Sequence, residues 1–364
     1  MNHLLKFLCK HCYNLTLLDI PFTRDNINNE TIFNMIELLS YKGSNGRSKL
    51  NDLKELFYAD SVVHKKDIYL ALSNNNICNL TLLHNEGFSF INSLSQFITL
   101  QKKLKHIILC ENLYGTVFYH IDRECNYNIV FNSLSTQSES LQTLEFKYVS
   151  FENINENALN SLCLLKNIKG LKLYECKRID SNLISWAKNL TNLEVFEFVK
   201  GYFPIISEEF LIQLIQSSSN TLTKLIIYYG RRERQLAQLF RQIPIYLRSL
   251  IHLDLPKTYP DELISIFGSC TKLIYLSIVL SDDGLWEVYL SNLGKFIPKN
   301  LQKIQFKEID RYIFSSKALR NFFEDCKYNN GKLKYLEIKG TFNFGQHYFN
   351  VAKEFDIELI QIVG

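Results

Sequence analysis

Apolar side chains recur in this chain at one fixed spacing. Between Ile168 and Leu183 they stand at Ile168, Leu171, Leu173, Cys176, Ile179 and Leu183, with Lys, Tyr, Glu and Arg between them. Leu171 and Leu173 alternate with polar neighbours, which predicts a short strand with one buried face. The same triplet, spaced three and then two residues, returns along the whole sequence. Its copies are Leu15-Leu18-Ile20, Leu53-Leu56-Tyr58, Ile77-Leu80-Leu82, Leu104-Ile107-Leu109, Leu141-Leu144-Phe146 and Ile168-Leu171-Leu173. They continue as Leu193-Phe196-Phe198, Leu222-Leu225-Ile227, Leu250-Leu253-Leu255, Leu273-Leu276-Ile278, Leu301-Ile304-Phe306 and Leu333-Leu336-Ile338. Ile357-Leu359-Ile362 is a degenerate thirteenth copy.

The stretches between triplets read as helices. Ser207 precedes Glu208 and Glu209 and then Phe210, Leu211, Leu214 and Ile215, an N-cap with acids in the first turn. Asp180-Ser181, Pro260-Asp261 and Ser315-Ser316 introduce apolar runs in the same way. Turn compositions stand at residues 42–47 and at Asn329-Asn330-Gly331. Two long gaps, near residues 24–50 and 112–138, predict extra loop or a longer helix. A strand followed by a covering helix, repeated, builds a parallel sheet. The triplet is the L-x-x-L-x-L-x-x-[NC] stem of a leucine-rich repeat, with Cys176 in the last position. The expected fold is therefore an α/β leucine-rich-repeat solenoid, a horseshoe with a parallel concave sheet and outer helices. It holds twelve to thirteen repeats in a single domain over residues 1–364. A stack of this kind needs only neighbouring repeats to bury its core.

Composition narrows the function classes. Of 364 residues, 46% are hydrophobic and 21% charged, which supports a core and argues against disorder. Lys and Arg number 41 against 37 Asp and Glu, a net charge of +4. That is too mild for a nucleic-acid partner. Nine cysteines at irregular spacing form no disulfide framework and read as small reduced core residues. This points to an intracellular protein, cytoplasmic or nuclear. No apolar run is long enough to span a membrane, and none is expected as a partner. The apolar N-terminal stretch is broken by Lys6, Lys10 and His11 and falls in phase with the repeats rather than reading as a leader.

Candidate chemistry lies on the strand surface. Tyr228-Tyr229-Gly230-Arg231-Arg232 leaves one strand, and His252, Asp254 and Lys257 stand on the next. Tyr and Arg are enriched at interface hot spots, so Tyr228, Tyr229, Arg231, Arg232, His252, Asp254 and Lys257 are the candidate partner-binding residues. An Arg cluster also suits an acidic or phosphorylated motif. The fifth stem position runs Asp19, Phe57, Thr81, Ile108, Glu145, Lys172, Glu197, Ile226, Asp254, Ser277, Gln305, Glu337. Glu145, Lys172 and Glu197 are expected to pair across strands. Cys9-Lys10-His11-Cys12 has half the spacing of a zinc site without a second pair, so no metal is expected. Residues 43–49 carry glycines and bases outside the register of a phosphate loop. Asn14, Asn79 and Asn189 begin sequons that abut stems and are read as unmodified. The 8 histidines are scattered without a nucleophile at a known spacing, so neither catalysis nor a cofactor is expected.

The segments CYNLTLLDI at Cys12, CTKLIYLSI at Cys270 and LKLYECKRIDSNL resemble the cysteine-containing repeats of F-box/leucine-rich-repeat proteins. The resemblance is looser to ribonuclease-inhibitor-like folds. The Asn-, Ile- and Tyr-rich composition is similar to that family in filamentous fungi. The resemblance implies a protein-binding module, the substrate-recognition part of a Skp1–cullin–F-box ubiquitin ligase receptor, with a protein substrate on the concave face. It also implies an F-box that binds a Skp1-type adaptor. Only fourteen residues precede the first stem, so that adaptor is expected only if an F-box is encoded upstream. The first repeat reads as starting without a cap. The alternative is a free-standing repeat scaffold or inhibitor with no ubiquitin role.

Overall fold

The computed structural model describes residues 16–21, 53–59, 65–74, 80–86, 91–111, 127–200, 206–229, 236–280, 286–307, 314–341 and 343–363. They fall into two compact units, Met1–Asn192 with Pro204–Ile206 and Leu193–Phe203 with Ser207–Gly364.

The first unit holds strands β1 (Leu17–Pro21), β2 (Glu55–Ala59), β3 (Leu82–Glu86), β4 (His106–Cys110), β5 (Thr143–Lys147) and β6 (Gly170–Tyr174). Each pairs in parallel with the next in chain order. The second unit holds β7 (Val195–Lys200), β8 (Lys224–Tyr229), β9 (His252–Thr258), β10 (Tyr275–Leu280), β11 (Lys303–Lys307), β12 (Tyr335–Gly340) and β13 (Glu358–Val363), paired in the same manner. The stem positions alternate as the triplet requires. In β5, Leu144 and Phe146 are buried while Thr143, Glu145 and Lys147 are half-exposed. One carbonyl just before each strand accepts two N–H groups of the following repeat. The Thr81 carbonyl takes Lys105 and His106, and the Lys105 carbonyl takes Gln142 and Thr143. Within each unit this repeated bond holds neighbouring strands in register.

Eleven of the twelve stems lie in the expected phase, as far as their residues are described, and the third stem and the degenerate thirteenth copy differ. In the third repeat Leu56 pairs in register with Leu83, so Leu83 is the inward residue and Leu82 is only half-buried. The cause is local. Leu80, Leu82 and Leu83 crowd one stretch, and two phases satisfy the triplet equally well. The anchor is Leu80, and His84 rather than Thr81 occupies the fifth position beside Phe57, with ring centroids 5.7 Å apart. In β13 the inward pair is Leu359 and Gln361, not Leu359 and Ile362. Gln361 accepts the Phe344 N–H at 3.2 Å, a polar substitute for the usual apolar contact.

Helices cover the inward face, and their starts are those read from sequence. Ser207 accepts the Phe210 N–H and Ser315 that of Ala318. Asp180 accepts the Asn182 N–H ahead of a 3-10 turn and the short helix Ile184–Asn189. Pro260 opens its helix, where its missing N–H is no loss, and Glu262 accepts the Tyr259 N–H at 2.9 Å. Acids of one helix also cap the next. Glu208 accepts the Leu239 N–H at 2.8 Å, and Glu287 takes both the N–H and the hydroxyl of Ser315. Buried Gln137 links earlier turns, donating to the Ile98 and Gln101 carbonyls at 3.0 and 2.9 Å.

The core is aromatic as well as aliphatic. In the first unit Phe131, Phe146, Phe151 and Trp186 form a chain of rings 5.3–5.8 Å apart. Cys176 and Cys270 are buried free thiols whose S–H groups donate to the Phe146 and Leu247 carbonyls at 3.4 Å. Glu175 takes a positive φ of 51°, which turns the chain so that Cys176 points inward. The turn at Asn329–Gly331 is present, with Asn330 at φ 55°. The pairs Cys9-Cys12 and the loop at 43–49 lie outside the described residues. Gly294 is a tight approach. A Cβ there would meet the Phe322 carbonyl and lie 2.7 Å from Asp325 Cβ. Gly294→Ala is therefore expected to lower the melting temperature by several degrees, about 1–3 kcal/mol of overpacking, in a circular dichroism melt. A parent-like melt would show that the turn Gly294–Phe296 and the helix Ser316–Tyr328 separate freely.

Candidate functional site: the strand face of the second unit

Odd stem positions point away from the helices and form a polar face. In the second unit the third positions are Lys224, His252, Tyr275, Lys303 and Tyr335 on successive strands from β8 to β12. The fifth positions are Glu197, Ile226, Asp254, Ser277, Gln305 and Glu337, from β7 to β12. β9 then bulges. Leu255 pairs with Ile278, but Lys257, not Pro256, pairs with Val279. A bulge kinks its strand and re-aims the side chains that follow. Thr258 closes it by donating its hydroxyl to the Pro256 carbonyl at 2.7 Å.

Lys307 is the centre of the face. From β11 its stem crosses β10, where Ser277 is small, and its ammonium pairs with Asp254 on β9. The ammonium also lies 4.8 Å from the Tyr228 ring on β8. The two charged side chains are only 9% and 15% exposed. Burial pushes the Asp254 carboxyl up, and Lys307 pulls against it. The Ser277 hydroxyl reaches both Asp254 and Gln305 Oε1, at 2.9 Å from the latter, and its single proton serves one at a time. Gln305 continues the chain by donating to Glu337 at 2.8 Å, and Glu337 also holds Lys303 at 2.5 Å. On the other side Lys224 pairs with Glu197 at 2.7 Å. The charges are thus tied to one another, which fixes their rotamers before any partner arrives.

His252 stacks on Tyr275 with centroids 4.2 Å apart. Burial, then Lys224, lowers its pKa from 6.5 to about 4. Burial pushes the Tyr275 hydroxyl up to about 12. The sign for stability follows. Between pH 6.5 and about 4 the unfolded chain binds a proton that folded His252 does not, so stability falls as pH falls through that window. His252→Phe is expected to flatten the pH dependence of the melting temperature between neutrality and about pH 5. An equally steep dependence in the variant would show that other groups carry it.

The structure thus brings Tyr228, His252 and Asp254 of the expected set together. Lys257 stands just past the bulge, half-buried. The side chain of Tyr229, together with Arg231 and Arg232, lies outside the described residues. Of the Glu145, Lys172 and Glu197 column, Glu197 pairs across strands with Lys224, and Glu145 meets Lys147 on its own strand at 2.9 Å. The sequence places Ser277, Gln305 and Glu337 in the exposed fifth column without marking them as binding residues, and Lys307, Tyr275 and Lys303 are absent from the expected set. The signal was present in the odd columns of the next three repeats, written Tyr275-x-Ser277, Lys303-x-Gln305-x-Lys307 and Tyr335-x-Glu337.

Among the described residues no helix is long and apolar enough to cross a membrane, and no cluster of three metal-ligating side chains occurs. No family model matches the chain, and no curated protein sequence matches it. Its structure is similar to that of the leucine-rich repeat-containing protein LegL7 from Legionella pneumophila. That similarity has a TM-score of 0.44 at 12% identity, over 94% of this chain and 98% of that one. The repeat geometry itself, thirteen parallel strands each introduced by the same stem and backed by helices, gives the chain the α/β leucine-rich-repeat fold.

Proposed function

We propose that this chain is a protein-binding leucine-rich-repeat module whose partner docks on the strand face of the second unit. The observation that carries this reading is the Tyr228–Lys307–Asp254 arrangement, which links β8, β9 and β11 into one preorganised surface with aromatic edges. Such a surface offers hot-spot side chains whose ordering cost is already met within the fold. The resemblance of the Cys176 and Cys270 stems to F-box receptors gives the finer form of the reading, substrate recognition for a ubiquitin ligase through a Skp1-type adaptor. A free-standing scaffold or inhibitor shares the same docking face without that adaptor.

Changing Tyr228, Tyr229, Arg231 and Arg232 together to Ala is expected to weaken binding of a native partner by about tenfold or more while leaving the circular dichroism spectrum unchanged. Unaltered affinity would remove this end of the face from the interface. The ligase form is tested at the 5′ end of the native transcript. An in-frame F-box there, with Skp1 retained on the full-length product, supports it. An in-frame stop close upstream of Met1 leaves the scaffold form.

A further inference from the structure

The first unit carries a second surface, at the rim where the chain enters its strands. The residue just before each strand lies there. Thr81 N–H donates to the Lys54 carbonyl at 2.7 Å, Lys105 to Thr81 at 2.9 Å, Gln142 to Lys105 at 2.8 Å and Lys169 to Gln142 at 2.7 Å. These bonds place the five residues one strand apart in an unbroken row. Lys54, Lys105 and Lys169 are exposed and occupy alternate places, with Thr81 and Gln142 between them. Two strand spacings separate successive lysines by about 9.6 Å. Lys102, Lys103 and Lys166 stand exposed in the turns that lead into the same rim. The described rim segments, 53–54, 80–81, 101–105, 138–142 and 164–169, hold these six cations and one carboxylate, Glu139, with Glu55 opening the strand after Lys54.

We infer that this rim binds an extended acidic segment of a polypeptide, one with a carboxylate near every third residue. The spacing carries the argument. An extended or polyproline chain rises about 3.1–3.4 Å per residue, so every third side chain recurs at about 10 Å, close to the lysine interval. Gln142 offers hydrogen bonds to the peptide groups that lie between the charges, and the Thr81 hydroxyl, which donates to the Lys54 carbonyl at 3.2 Å, can accept one. Single-stranded nucleic acid fits less well, because its sites interleave cations with aromatic rings for stacking, and no described rim residue is aromatic. Lysine ammonium groups are point charges on flexible stems, which suit separated carboxylates and do not select planar bidentate ligands. The surface lies in the other unit from the face proposed above and stands without that reading.

The test is fluorescence anisotropy of the full chain with a labelled peptide that carries Glu at every third position. Binding is expected to weaken steeply as salt is raised, since exposed charges are screened beyond about a Debye length. The triple variant Lys54→Glu, Lys105→Glu, Lys169→Glu is expected to lose about tenfold or more in affinity, and the milder Lys→Gln triple to lose part of it. Reversing Lys188, Lys317 and Lys353, which are exposed on helices, should change little. The Lys→Gln triple secures the test if charge reversal disturbs folding. Parent-like affinity in the rim variants would overturn the inference. So would tighter binding of a single-stranded oligonucleotide of equal charge than of the peptide.

Discussion

Leu171→Asp is expected to unfold its repeat together with its neighbours. Leu171 is 0% exposed and sits in register with Leu144 on the inward side of the first unit's sheet. An aspartate there places a carboxylate among buried aliphatic and aromatic side chains such as Leu144, Phe146 and Leu173. The loss combines the apolar transfer energy of the leucine with the penalty of a buried polar or charged group, about 4 kcal/mol or more in total. Domains of ordinary stability retain only about 5–15 kcal/mol in all. A repeat is held by its neighbours, so the damage spreads along the stack. Circular dichroism melts and hydrogen exchange over β5 and β6 measure it. Leu171→Met keeps volume and polarity and is expected to cost less than about 1.5 kcal/mol. An aspartate variant that melts like the parent would show that Leu171 does not face the core.

Lys307→Met is the second large effect, and it acts through the partner it abandons. The Lys307–Asp254 pair is almost fully removed from water. Taking away one ion leaves the other buried without its counter-charge, at a cost of about 3–5 kcal/mol. Replacing both, as Lys307→Met with Asp254→Leu, removes the uncompensated charge and is expected to recover most of that loss. Urea denaturation of the two single variants and the double gives the coupling energy. Equal and additive losses would show that the two charges are solvated independently. The double variant also separates stability from recognition. It is expected to fold and yet to bind a partner weakly, because the rotamer of Tyr228 loses its cation and the face loses both charges.

Much of this architecture is legible in the sequence. The triplet spacing located the strands because inward positions must be apolar wherever helices cover the sheet. Ser207, Asp180, Pro260 and Ser315 marked helix starts because unpaired N–H groups demand those residues. The misplacement of the third stem came from Leu80, Leu82 and Leu83, where hydrophobicity alone cannot choose a phase and only pairing with Leu56 decides it. The candidate surface was half legible. Tyr228, His252 and Asp254 stand on consecutive stems and read as a cluster. Lys307 did not, because it lies two repeats beyond Asp254 and reaches it only by spanning β10. The bulge at Pro256 was equally hidden, since the stem Leu250-Leu253-Leu255 is regular up to that point. Side-chain reach across a sheet is a property of the stacked columns. A one-dimensional scan sees it only after the repeats have been aligned.

The central claim is that partners meet the strand face of the second unit and not its helices. A photo-crosslinking residue placed in turn at Ile226 and Tyr335 on the strand face, and at Val288 and Tyr328 on helices, tests it most directly. Val288 and Tyr328 are 64% and 87% exposed, so their silence would not reflect burial. Both strand-face probes are expected to capture the same protein, identified by mass spectrometry, and the helix probes are not. Capture of that protein from the helix positions alone would contradict it.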